Sequence, residues 1–336
     1  LENSPPLWLK QKSKMSLSRL PNDRLHKYVQ TNETDTQVMG MNWSRQMKQI
    51  TVFTPTYNRA NLLRRCYESM CRQTCQDFVW LIIDDGSDDD TTEQVSAWSK
   101  ANHGFELQYY HKENGGLHTA YNAAIERIVT PLCVCIDSDD FMPDDAIEKI
   151  LRFWEEYGSN EYAGIVGLDY YLDGNIIGDP LPDQKSVNLI DLLVGRYQIH
   201  NGDRTNVVRT ELYKKYAPMK VYPGEKNFNP HYLHLQISQE FDFLVMNENL
   251  RFVEYQLTGM SNSMLKQYRN SPNSFMQTRL LYLSFPKTPV SFRFRNSVHL
   301  ASSGILAGKL PLALKLSPCK TITCLLYTSP SPRDQR

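Results

Sequence analysis

From Ile50 onward, short apolar runs alternate with stretches whose apolar residues recur every three or four positions. The runs at 50–54, 78–83, 105–110 and 132–136 predict strands, and the stretches at 60–72, 91–101, 118–128 and 144–157 predict helices. Repeated β-α-β units of this kind predict an α/β fold: a mixed, mainly parallel sheet with helices on both faces. After residue 162 the rhythm loosens. It leaves a strand at 163–168, a two-residue turn at Asp173-Gly174-Asn175, a strand at 251–255 and a helix at 272–283.

The strands at 78–83 and 132–136 both run into acidic turns, Asp84-Asp85-Gly86-Ser87 and Asp137-Ser138-Asp139-Asp140. Ligands of open α/β sheets bind outside the carboxyl ends of the strands, so two such turns place acids on one edge. Adjacent carboxylates repel one another, and a hard divalent cation, Mn2+ or Mg2+, that also takes phosphate oxygens would hold them together. Asp also favours turns and helix starts for purely local reasons, so one turn alone carries little. An EF-hand loop is disfavoured because Met142 stands where its Gly is required.

Two further turns add to the edge. Thr54-Pro55-Thr56-Tyr57-Asn58-Arg59 breaks the first strand and opens a helix, which can set backbone N–H groups and Arg59 beside a nucleotide. Asn114-Gly115-Gly116 joins a strand to a helix through two glycines that allow close backbone approach to a ligand. The Gly-x-Gly-x-x-Gly loop of a dinucleotide site is missing from the first strand, which disfavours a nicotinamide-dependent dehydrogenase.

Composition narrows the class. The 336 residues hold 37 basic and 37 acidic side chains, so net charge points neither to nucleic acid nor to an anionic membrane as the main partner. No apolar run approaches the roughly 18 residues of a spanning helix, and a soluble or peripheral protein is expected. Seven Cys form an odd set without metal-finger spacing, which fits a reducing compartment, with Cys133 and Cys135 as buried thiols. Residues 1–46 are expected to be a non-native or disordered extension, with Met39, Met41 or Met47 as the start. Residues 319–336 are expected to be a non-native tail, of which Tyr327 to Arg336 resembles translated adapter sequence.

Taken in order, Thr54 to Arg59, Asp84 to Ser87, Asn114 to Gly116 and Asp137 to Asp140 resemble the family-2 glycosyltransferases of the GT-A fold over residues 48–255. Enzymes that build bacterial cell-surface polysaccharides are the nearest in kind. The resemblance implies a catalytic domain at 47–255 and a small C-terminal helical extension at 256–318. It implies an inverting, metal-dependent transfer of a sugar from a nucleotide-diphosphate donor, UDP above all, to a glycan or lipid-linked acceptor. A cytoplasmic place, peripheral at the inner face of the membrane, goes with it.

Carried over by position, Asp85 would accept a hydrogen bond from the base, with Pro55 and Tyr57 lining the base pocket beside Arg59, Asn114, Gly115 and Gly116. Asp137 would lie near ribose and metal, Asp139 would bind the metal directly, and Asp140 would be a second contact. The general base is expected in a loop after the acidic turn, with Glu225 first, then Glu240 and Asp242. Where similar enzymes continue to Pro-Glu, this chain reads Pro230-His231. Asp203 could bind sugar hydroxyls or cap a helix beginning near Thr210.

Two other functions are open at this stage. A non-catalytic nucleotide- or glycan-binding homologue would keep the fold without the base. A metal-dependent nucleotidyltransferase would need a Gly-rich phosphate loop on the first strand, which residues 54–59 do not supply. Beyond Tyr255, arginines among aromatics could rest on a membrane surface or form helices against the main domain.

Overall fold

The computed structural model describes residues 48–200, 202–256 and 264–320. The expected N-terminal extension and nearly all of the expected tail, including Cys324, lie outside these residues.

The first half follows the predicted order: β1 (Ile50–Thr56), α1 (Ala60–Cys71), β2 (Phe78–Asp84), α2 (Thr91–Trp98), β3 (Glu106–His111), α3 (Leu117–Arg127), β4 (Leu132–Cys135) and α4 (Ala146–Tyr157). Next come β5 (Tyr162–Tyr171), β6 (Ser186–Val187), α5 (Leu189–Leu193), β7 (Arg204–Arg209), α6 (Thr210–Tyr216), α7 (His231–Ile237) and β8 (Asp242–Val253). The helices α8 (Met264–Asn270), α9 (Pro272–Ser284), α10 (Val290–Leu306) and α11 (Leu310–Leu316) complete the described chain.

The strands form one eight-stranded sheet in the order β3-β2-β1-β4-β7-β5-β8-β6. Neighbours among β3, β2, β1 and β4 are parallel, as are β5 and β8, whereas β7 runs antiparallel to β4 and β5, and β6 antiparallel to β8. The pleat sends alternate side chains of the central strands to opposite faces. Phe53, Leu81, Ile83 and Cys133 join one core with Ala120 and Ala124 of α3. Val52, Trp80, Ile82 and Val134 join the other, with Leu63 and Met70 of α1 and Ile147 and Ile150 of α4. Such two-sided burial is why these strands read as near-continuous apolar runs.

The strand expected at 251–255 is the far end of the twelve-residue β8. Polar Asn247-Glu248-Asn249 interrupts its apolar pattern, and the pairing with β5 shifts register there, from Gly167 opposite Met246 to Leu168 opposite Asn249. The turn at Asp173-Gly174-Asn175 forms, with Gly174 at φ 84° and Tyr170 bridged to Ile176.

Candidate active site

All four motif turns meet at one edge of the sheet. The turn after β1 and that after β2 are tied together. The Asn58 N–H donates to Ser87 Oγ at 2.9 Å, and the Asp88 N–H donates to Asn58 Oδ1 at 2.9 Å. Asp89 accepts from the N–H of Ala60 and from both the N–H and hydroxyl of Thr91, which joins the first turns of α1 and α2. Burial opposes its charge, but these hydrogen bonds win and hold its carboxyl below the usual range.

Asp85 organises the glycine turn. Its carboxylate accepts from the N–H groups of Gly115 at 3.1 Å and Gly116 at 2.7 Å, from Lys112 Nζ at 2.5 Å, from Asn114 Nδ2 at 3.2 Å and from Thr119 Oγ1 at 3.3 Å. A carboxylate offers about four lone-pair sites, and Lys112, Asn114 and the Gly115 and Gly116 N–H groups donate to this one, while the Thr119 hydroxyl bonds more closely to the Gly116 carbonyl at 2.8 Å. Asp85 thus holds the turn, and it also lines the cavity above it. Gly116, at φ 93°, lies so close to the backbone of Lys226 that a Cβ would come within 2.0 Å of that carbonyl oxygen.

A cavity of about 460 Å³ opens above these turns, walled by Pro55, Tyr57, Arg59, Asn114, Lys226 and the turn at 137–140. Tyr57 is 47% exposed, so an aromatic face is free for a planar ring. Arg59, predicted to lie beside a nucleotide, pairs with Asp139 at 3.0 Å, and Lys226 donates to Asn114 Oδ1. The Asp139 carbonyl is pinned to α1 by Arg65 Nη2 at 2.7 Å.

A second cavity of about 770 Å³ adjoins the first, and Leu117, Asp137, Asp203, Arg251 and Tyr255 line both. The two are chambers of one cleft. The outer chamber is walled by His200, Asn206, Asn229, His231 and His234, with Met264 and Phe275 from α8 and α9.

At the junction, Arg251 of β8 lies among three acids: Asp137 at 3.5 Å, Asp140 at 3.4 Å and the fully buried Asp169 of β5, with which it pairs directly. Asp169 also accepts from Thr205 Oγ1 at 2.6 Å. Burial raises the Asp140 carboxyl well above the usual range; Arg251 opposes this, and Asp137, Asp139 and Asp169 add to it. Asp137 stays 43% exposed, facing both chambers. The acids of the Asp137 to Asp140 turn do not converge on a ready-made cage. Among the described residues no group of three or more His, Cys, Asp or Glu side chains is arranged to hold a metal ion. Two guanidiniums lie between them instead, and Asp140 is turned into Arg251. Donor chemistry still fits a hard cation at Asp137 and Asp139, because crowded carboxylates at a cavity wall suit an ion that takes its remaining ligands from phosphate.

Arg251 and Asp169 went unnoticed in the sequence, although a signal existed. Each is a lone charge inside an apolar strand segment, Leu250-Arg251-Phe252 and Leu168-Asp169-Tyr170, and opposite charges buried in strands usually pair.

None of the three expected bases lines either chamber. Buried Glu225 accepts from the N–H groups of Asn273 and Ser274 and from both their side chains, and so caps α9. Glu240 is tied to Lys215 and Tyr216 on the surface. Asp242 begins β8 and accepts from Asn188 Nδ2. Asp203 does face the cleft. It precedes β7 and lies well before α6, so helix capping is excluded, and it accepts from Tyr255 Oη at 2.7 Å. Burial pushes His231 down to about 4 against the pull of Asp203. Burial likewise pushes His234, bonded to Tyr213 Oη at 2.5 Å, down to about 3. Both imidazoles are neutral at neutral pH. Cys133 is a buried thiol pushed up to about 12, and Cys135 packs against the same core.

A mainly parallel sheet with a two-chambered cleft at its carboxyl edge and an acidic turn between the chambers is the GT-A glycosyltransferase fold. Residues 51–176 match the model of glycosyl transferase family 2. An uncharacterized glycosyltransferase of Rickettsia felis is 39% identical over 107 residues, 32% of this chain and 17% of that protein. Glycosyltransferase GlyA of Streptococcus pneumoniae is 31% identical over 115 residues, 34% of this chain and 16% of that protein. The chain thus spans about a sixth of the length of these relatives. Among solved structures, residues 1–349 of S. aureus TarS in complex with UDP-GlcNAc align with a TM-score of 0.56 at 15% identity, covering 83% of this chain and 84% of that one. The Pyrobaculum calidifontis mannosyltransferase PcManGT, in complex with GDP-Man and Mn2+, aligns with a TM-score of 0.51 at 14% identity, covering 85% and 77%.

Proposed function

We propose that the protein moves a sugar from a nucleotide-diphosphate donor, UDP-linked in the first instance, to a hydroxyl of a glycan or lipid-linked acceptor, with inversion at the anomeric carbon. The observation that carries this reading is the division of one cleft. A chamber with a free aromatic face and basic groups meets a chamber rich in neutral hydrogen-bonding side chains, at a junction of acids and Arg251. UDP-GlcNAc and GDP-Man, the ligands of the two aligned structures, are the first donors to test.

Tyr57 offers its ring to the base, and Arg59 and Lys226 offer positive charge to the diphosphate. Asp137 and Asp139 would hold a divalent cation, Mn2+ or Mg2+, which when bound supplies Lewis-acid stabilisation of the diphosphate leaving group. Asp203 is the proposed general base: it faces the outer chamber, and its hydrogen bond from Tyr255 fixes its direction. There it takes the proton of the acceptor hydroxyl as the oxygen attacks the anomeric carbon. His231, which lines the outer chamber, would bind an acceptor hydroxyl.

Replacement of the base tests this assignment. Asp203→Asn should lower kcat by about 10²- to 10⁴-fold, the range for a positioned general base, with donor binding kept. Glu225→Gln should leave kcat near that of the unaltered protein. The reverse pattern would overturn the assignment.

A further inference from the structure

Between residues 264 and 320 the chain carries nine Lys and Arg and no Asp or Glu, although the whole sequence is balanced at 37 of each sign. None of the nine is in a salt bridge among the described residues. Most of them, Lys287, Arg295 and Lys315 included, are exposed. The same helices leave an apolar stripe uncovered. Val290, Phe294 and Val298 recur every four residues along α10 and are 76%, 51% and 38% exposed, and Ile305 continues their line. Arg295 lies beside the stripe on the exposed side of the helix, while Phe292, Asn296 and Leu300 fill the buried side. Gly304 lets α11 approach α10 closely through Ala313, which joins these two helices into one unit.

A stripe of large apolar side chains flanked by cations without acidic partners matches the headgroup boundary of a bilayer carrying negative lipids. The apolar side chains enter the acyl region and the cations meet phosphate. Nucleic acid would use the charge and leave the stripe in water. A second copy of these helices would bring like charges together. We propose that α10, with the basic residues around it, docks the protein on an anionic membrane surface. The docking stands apart from the sugar-transfer reading; its consequence for that reading is that α8 and α9 wall the outer chamber next to this surface, which would suit a lipid-linked acceptor.

The test is co-sedimentation of the full chain with phosphatidylcholine vesicles, with and without phosphatidylglycerol, at low and high salt. Binding should require phosphatidylglycerol and weaken with salt. Replacing Lys287, Arg295 and Lys315 together by Gln should weaken it by roughly a hundredfold, given the attraction of each cation near a charged surface. Val290→Ser, Phe294→Ser and Val298→Ser combined should abolish it while thermal unfolding stays unchanged. Failure of the folded protein to bind at low salt would overturn the proposal, as would unaltered binding by the triple serine variant. A dimer in solution that the serine variant dissociates would assign the stripe to a second copy instead. Loss of vesicle binding with donor turnover intact would leave the sugar-transfer reading standing.

Discussion

Arg251 is the residue on which the junction depends. Its guanidinium faces Asp137, Asp140 and Asp169, of which the last two are buried and cannot be satisfied by water. Removing one member of a buried ion cluster leaves uncompensated charge, at a cost of about 3–5 kcal/mol. Arg251→Met should therefore lower unfolding stability in urea by that order, and Asp169→Asn combined with it should recover part of the loss. An unchanged urea midpoint for Arg251→Met would show that the cluster is not held by this cation. Asp137 and Asp139 were legible because they end an apolar run in a familiar order. Arg251 was not, because its partners Asp137 and Asp169 lie 114 and 82 positions away in sequence.

At the scale of elements, the glycine turn and the α9 cap show how local sequence is bent to the site. The family pattern offers Asp85 to the nucleotide base and Glu225 as the general base, yet Glu225 and Asp89 are engaged in holding the starts of α9, α1 and α2, and Asp85 holds the Gly115-Gly116 turn while still lining the cavity. A sequence pattern records that an acid is needed and cannot say whether a ligand or an N–H group needs it. The first four strands and four helices were legible because two-sided burial writes long apolar runs. The short β6 and α5 and the bulged β8 were not, because few residues or a register shift blurs the period. Glu225→Gln separates the two roles. Weakening a charge-assisted cap should cost about 1–3 kcal/mol of stability without reshaping the pH dependence of turnover. A large loss of kcat with stability intact would return Glu225 to the chemistry.

Across the whole molecule, stability should depend on pH through the outer chamber wall. His231 and His234 fall to about 4 and about 3 in the folded protein, against 6.5 for the free side chain. The unfolded chain then binds more protons below pH 6.5, so stability is full above that pH and is lost as pH falls toward 4, by an amount on the order of a few kcal/mol. Thermal unfolding followed from pH 7 to pH 4 should show this decline, and His234→Gln should flatten it. A flat profile for the unaltered protein would mean that neither imidazole is held neutral by burial. The division of the molecule has a similar logic. The acids at the carboxyl edge of the sheet are paired with Arg59, Lys112 and Arg251, whereas residues 264–320 carry cations and no acid, so charge is unevenly spread along a chain without net charge.

The central claim is sugar transfer from a nucleotide donor at the junction of the two chambers. Its most direct test is release of nucleoside diphosphate from UDP-GlcNAc, GDP-Man and other nucleotide sugars, with Mn2+, with Mg2+ and with chelator, beside Asp139→Asn. Turnover of one donor that requires a divalent cation and is lost in Asp139→Asn is the predicted result. Turnover that persists unchanged in Asp139→Asn, or nucleotide binding without release from any donor in the presence of glycan acceptors, would contradict it.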